Sequence, residues 1–183
     1  TTVPVSFDGS GTLVIEPYGT SFVNAQSMAD VTTSSTLTGF RLGKTGNLQT
    51  IRLSGTRSFA GDVELIGSTV DLESGSMASS TGDVSITGDT LNVGGTITAS
   101  QGKVVIAPQN VNRTVTVGTE VSNTLSLTST EVSNISTPLL RIGTQGDVNV
   151  TDSQNFTGKV STLALRAGGD VTGSAGVTIT VAN

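Results

Sequence analysis

The sequence predicts an all-β chain wound as a parallel β-solenoid, a β-helix with coils of about 21 residues and essentially no helix. The first observation is a repeat: Gly61-Asp62-Val63-Glu64-Leu65 returns as Gly82-Asp83-Val84-Ser85-Ile86 and again from Gly102-Lys103-Val104-Val105-Ile106, at shifts of 21 and 20. The second is a period of two in the aliphatic residues, which marks short half-buried strands. The third is composition. Of 183 residues 34% are hydrophobic but only 3% aromatic, with no Trp and 23 Gly, a supply that suits a narrow aliphatic interior with many corners.

The alternating pairs run along the chain as Val63/Leu65, Val84/Ile86, Val104/Ile106, Val115/Val117, Leu125/Leu127, Val148/Val150 and Leu163/Leu165, and end in Val177, Ile179 and Val181. Later copies of the unit open at Gly146-Asp147-Val148 and Gly169-Asp170-Val171, so spacings of 20 to 23 are expected from residue 61 onward. The chain reads as a single domain, residues 1–183, with less regular coils over 1–60 and regular coils over 61–183. In the first part Thr12–Ile15 and Phe40–Leu53 read as strands, and one short helical turn is expected near Ser21–Asp30. A 21-residue unit of two or three strands cannot bury its own apolar face, so it must stack on its neighbours. An antiparallel sandwich also gives short strands at regular spacing. Scarce Asn-Gly and Asp-Gly hairpin turns and the recurrence of one unit in one register favour the solenoid.

Phe40-Arg41-Leu42-Gly43-Lys44-Thr45-Gly46 is echoed, at a shift of 100, by Leu140-Arg141-Ile142-Gly143-Thr144-Gln145-Gly146. The segments Leu140–Val150, Leu125-Ser126-Leu127-Thr128-Ser129, Gly169-Asp170-Val171-Thr172, Gly11–Pro17 and Val177–Val181 resemble the repeats of filamentous-haemagglutinin-type adhesins. These are very large proteins exported by bacteria. The resemblance implies a right-handed parallel β-helix and a secreted or bacterial cell-surface location. Its role would be the structural stalk or body of an adhesin, with neighbouring coils of the same long chain as its partners and a host-cell or biofilm surface beyond. The alternative is a subunit of an extracellular filament, identical subunits stacking end to end through uncapped coils.

Composition also sets limits on chemistry. The chain holds no His and no Cys, which removes Ser/His/Asp triads, Cys/His dyads and the usual zinc sets. No catalytic residue, metal ligand or cofactor site is assigned, and the chain is expected not to be an enzyme. The calcium-binding nonapeptide of β-rolls and the EF-hand loop are both missing from the sequence. With a net charge of −5 and no Lys/Arg cluster, no nucleic-acid partner is expected. No apolar run is long enough for a membrane span.

A carbohydrate-cleaving β-helix would draw on Asp62, Glu64, Asp71, Glu73, Asp83 and Asp89, with Glu64 and Asp83 close on adjacent coils. Against it, Tyr18 is the single Tyr and sugar clefts use aromatic platforms. The simpler expectation is that Asp62, Asp83, Asp147 and Asp170, each following Gly, bond local backbone N–H groups at turns. The Thr-x-Thr pairs at 96/98, 114/116, 128/130 and 178/180 are separated by 18, 14 and 50 residues, out of step with a coil and so poor material for ice binding. Asn-x-Ser/Thr sequons mark Asn112, Asn134, Asn149 and Asn155 as possible glycosylation sites. Arg41 and Arg141 are expected to pair with local carboxylates or carbonyls.

Overall fold

A computed structural model describes residues 5–182. The chain forms a parallel β-solenoid of about eight turns, with every assigned strand pair parallel. A regular coil has three strands, one per face. Asp62–Ile66, Thr69–Leu72 and Ser76–Ser79 make one such coil, and Val84–Thr87, Thr90–Val93 and Thr96–Ala99 make the next. Val63 sits over Val84 and Val84 over Val104, so the sequence repeat is a physical stack. Along the first face the column Leu13, Phe40, Val63, Val84, Val104, Leu140, Leu163 advances in steps of 27, 23, 21, 20, 36 and 23 residues, with coils about 23 residues apart.

Alternation explains the core. In Thr69–Leu72 and Thr90–Val93 the second and fourth residues are buried and the others face outward. Val63, Leu65, Val70, Val84, Ile86, Ile97 and Val104 are all at most 1% exposed. Each contributes about 1.5–3 kcal/mol by leaving water. Phe40 and Phe59 fill the lower interior as a stacked pair, ring centroids 4.9 Å apart.

The less regular start is joined to this stack by Arg57. Its strand, Arg57–Phe59, points Arg57 inward, where the guanidinium donates to the carbonyls of Met28 and Val31 in the coil below. Burial lowers its pKa from the ordinary range. The stretch expected as one strand over 40–53 is two, Gly39–Leu42 and Thr50–Leu53, on different faces. Between them lies a corner in which Gly43 and Gly46 take φ of +88° and +89°. The buried Asn47 organises it, accepting from the Phe22 and Gln49 N–H groups and donating to the Ile66 carbonyl.

The helical turn expected near Ser21–Asp30 is not there; that stretch carries the strand Gln26–Ser27. The helix lies at Ser129–Ser133 and belongs to the one large departure from the repeat, the 36-residue step between Val104 and Leu140. After Lys103–Ala107 the chain forms Val115–Gly118, then Leu125–Thr128, which pairs parallel to it and packs between it and Thr90–Val93. The second face thus gains an extra strand. Residues 119–124 return along the outside of this pair, tying Val121 N–H and carbonyl to Ser126 Oγ. That is why Thr116 and Ser126, outward by register, are nevertheless buried. The helix then closes the coil. Thr128 and Glu131 form a capping box, and Glu131 Oε1 accepts from Val93 N–H at 3.0 Å while Asn134 Nδ2 donates to the Val93 carbonyl at 3.1 Å. The long strand Ile135–Gly143 resumes the stack on two faces at once, on Thr96–Ala99 and on Lys103–Ala107.

Candidate functional site

The Gly-Asp-aliphatic unit is a corner device. A Cβ on Gly82 would come within 2.3 Å of the Gly61 carbonyl carbon, and one on Gly102 within 2.1 Å of the Gly82 oxygen. Backbone therefore lies directly on backbone at this corner, and glycine is needed for closeness. The aspartates do not bond their own turns, as the sequence suggested; they bond the next coil. Asp62 Oδ1 accepts from the Asp83 N–H at 2.8 Å, Asp83 Oδ1 from the Lys103 N–H at 3.0 Å, and Asp147 Oδ1 from the Asp170 N–H at 2.9 Å. Asp89 does the same for Asn110 at another corner. Each carboxylate satisfies a backbone donor that would otherwise face a neighbouring coil unpaired.

The Gly-Asp-aliphatic units do not all open strands of the same face. Gly146-Asp147-Val148 opens a second-face strand, whereas Gly61-Asp62-Val63 and Gly82-Asp83-Val84 open first-face strands. The unit marks a corner, and the same chemistry serves at either of two corners.

The six carboxylates considered for sugar cleavage are spread over separate corners and faces. Asp83 faces Asp62, and Glu64 faces Ser85, so the expected approach of Glu64 to Asp83 is not the register found. Glu64 lies 4.0 Å from Arg41, Asp71 3.3 Å from Arg52, and Asp89 3.4 Å from Arg113, while Asp83 is bonded by the Lys103 ammonium. That side-chain hydrogen bond outweighs the opposing effect of burial and, with the Lys103 N–H and its charge adding to it, holds the Asp83 carboxyl below the usual carboxylate range. This is the opposite of the raised pKa that a general acid needs. Tyr18 is fully exposed. Among the described residues no cluster of three His, Cys, Asp or Glu side chains has metal-binding geometry.

The sequon asparagines occupy unlike settings. Asn112 and Asn155 are exposed, although Asn155 Oδ1 accepts from the Thr157 N–H. Asn149 Oδ1 accepts from Thr172 on the next coil. Asn134 is partly buried, and its Nδ2, the atom a glycan would take, is bonded to Val93. The Thr-x-Thr pairs form no array: Thr96 and Thr98 lie beside Ser76 and Ala78, Thr116 is buried, and Thr128 caps the helix.

Arg41 bridges Glu16 and Glu64, the carboxylate pairing expected of it. Arg141, its echo a hundred residues on, makes no such pair among the described residues. The sequence reading also missed a clasp in which Gln109 accepts from the Gly46 N–H and donates to the Asn47 carbonyl, 2.8 and 3.1 Å. It joins the loop after Lys103–Ala107 to a corner 63 residues earlier, and no local pattern announces it. No helix among the described residues is long and apolar enough to cross a membrane. Comparison of the chain with protein-family models, with curated proteins and with solved structures finds no match.

Proposed function

We propose that the chain is a structural β-helical segment, right-handed, forming the stalk or body of a large adhesin that is secreted or anchored at a bacterial surface. One observation carries this reading. A single aliphatic core runs without interruption from Met28 through Leu140 to Val160, built from stacked coils and corners that hold backbone against backbone. Such a design spends its side chains on stiffness along one axis, and its carboxylates on coil-to-coil bonding and ion pairs instead of a reacting centre. The resemblance of Leu140–Val150 and related segments to filamentous-haemagglutinin-type repeats supplies the adhesive and extracellular part. Immunogold labelling of intact producing cells tests it. Label on unpermeabilised cells, together with weaker attachment to host-cell or plastic surfaces when the chain is deleted, is expected; label that appears only after lysis contradicts it.

A second reading is a filament in which coils of one chain stack on coils of the next. Coils superpose backbone on backbone at corners such as Gly61, Gly82 and Gly102, a contact that coils of separate chains can repeat. Electron microscopy across a hundredfold concentration range separates the two: fibres that lengthen with concentration support stacking, while short rods of constant length leave the stalk.

A further inference from the structure

Of the nine basic residues, six are engaged within the described structure. Arg41, Arg52, Lys103 and Arg113 hold carboxylates, and Arg57 and Lys159 hold carbonyls. Lys44, Arg141 and Arg166 have no side-chain partner there. Two of these three line one groove of about 440 Å³ on the first face, and no Asp or Glu lines it.

The groove is built by the extra-strand coil. Arg141 faces outward with Val105 beneath it and Ala164 above. Arg166 faces outward beside Gly143, one strand over and two residues along, which puts the two Cα atoms about 8 Å apart from strand spacing and rise. Small residues at Ala107, Gly143, Ala167 and Gly168 leave room along the groove. The loop that begins at Pro108 forms a wall. It is fixed in place, because the Val111 carbonyl accepts from the Gln145 N–H at 2.6 Å and shares the Thr144 hydroxyl proton with the Arg113 carbonyl.

The equivalent place lower on the same face is the control that the molecule itself provides. There the smaller groove beside Arg41 is lined by Asp62 and Glu64, and Arg41 is neutralised by Glu16 and Glu64. At Arg141 the places that Glu16 and Glu64 hold beside Arg41 are taken by Ala107 and Ala164, and a second guanidinium stands diagonally opposite. Two guanidiniums offer ten N–H donors in planar forks that fit an oxyanion two at a time. The volume lies in the range of small-ligand pockets.

We propose that this groove binds an oxyanion, a carboxylate or phosphate carried on a ligand small enough to lie between Arg141, Arg166 and the loop that starts at Pro108. It is a property of these residues and stands whether or not the chain is part of an adhesin. Titration of the whole chain with sodium phosphate, and separately with a glucuronic-acid disaccharide, followed by ¹H–¹⁵N spectra of backbone amides and arginine Nε, tests it. Saturable shifts are expected at Arg141 Nε, Arg166 Nε, Gly143 and Gly168, with binding at least tenfold weaker in Arg141→Gln and Arg166→Gln and unchanged in Lys44→Gln. Because neither guanidinium holds another residue, both variants should melt with the parent. Saturation by phosphate alone assigns a phosphoryl ligand, and saturation by the uronate alone a carboxylate; both support the site. Shifts that never saturate, that are equal at Lys44, or that survive in the double variant Arg141→Gln/Arg166→Gln overturn it.

Discussion

From Val63 to Val104 the first face climbs two coils in steps of 21 and 20 residues, each coil with the same three strands and the same glycine-lined corners. From Val104 to Leu140 one coil takes 36 residues, adds a strand to a single face and closes with a helix. The two regions satisfy the same requirement by different means. In the first, backbone groups find partners because coils superpose, and the side chains that matter at corners are the shortest: none at Gly61, Gly82 and Gly102, a single carboxylate at Asp62 and Asp83. In the second the superposition fails at Val93, and longer side chains stand in: Glu131 for the missing acceptor, Asn134 for the missing donor, Ser126 for the return loop. A solenoid therefore tolerates an insertion when the displaced backbone groups are each given a side-chain partner, and the extra residues can then build something the regular coil lacks, here a wall for a groove.

The largest effects are expected in the core that the two regions share. Ile86→Ala in the regular region and Leu127→Ala in the inserted strand, both side chains at most 1% exposed, should each cost about 2–5 kcal/mol in urea unfolding. A negligible cost at Leu127 would show the insertion to be packed loosely, outside the common interior. The corners come next. Gly82→Ala presses a methyl group into backbone on the coil below and should cost about 1–3 kcal/mol or more, since the obstacle cannot change rotamer. Gly158→Ala, at φ +70° with nothing within 4 Å, should cost only about 1 kcal/mol, from conformation alone. Equal costs at the two positions would contradict close backbone stacking as the reason for Gly82.

Glu131→Ala removes the capping box and the acceptor for Val93 together and should cost about 1–2 kcal/mol. Faster amide hydrogen exchange should appear at Val93 and over 128–134, with 63–87 unchanged. The smallest effect is electrostatic. The folded pKa of Asp83 is depressed, so its contribution is present above the unfolded value near 3.9 and is lost as pH falls through the folded value. With both partners well exposed the pair is worth roughly 0.2–1 kcal/mol. Asp83→Asn should therefore narrow the loss of stability below about pH 4, seen in melting curves, and leave the slope at neutral pH alone.

The coils were legible because the residues that make them are periodic. Val63, Val84 and Val104, with Gly61, Gly82 and Gly102, repeat in sequence because they superpose in space. What escaped was everything that depends on non-periodic contacts. The helix carries a local signal, Thr128-Ser129-Thr130-Glu131, but five residues are too few for an amphipathic period, and the expectation went to Ser21–Asp30 instead. Gly146-Asp147 reads in sequence as another start of the same strand because a corner motif does not say which corner it turns. The aspartates were recognised as turn acceptors, yet their donors lie 20 to 23 residues away, a distance visible only once the winding is known. For the groove, the sequence offered Arg141 through its echo of Arg41. The absence of acids beside it follows from Ala107 and Ala164 standing where Glu16 and Glu64 flank Arg41, which only the register reveals.

The winding itself is open to a direct test, because the chain has no cysteine to interfere. Ser85 faces Val105 and Thr87 faces Ala107 across adjacent coils, a constant offset of 20. Strands spaced about 4.8 Å apart bring such Cα pairs within disulfide range. Two double variants, Ser85→Cys/Val105→Cys and Thr87→Cys/Ala107→Cys, oxidised and mapped by mass spectrometry, should both cross-link in high yield within the monomer. An antiparallel arrangement of the same strands can bring together only one of the two pairs, and finding one disulfide without the other would contradict the solenoid.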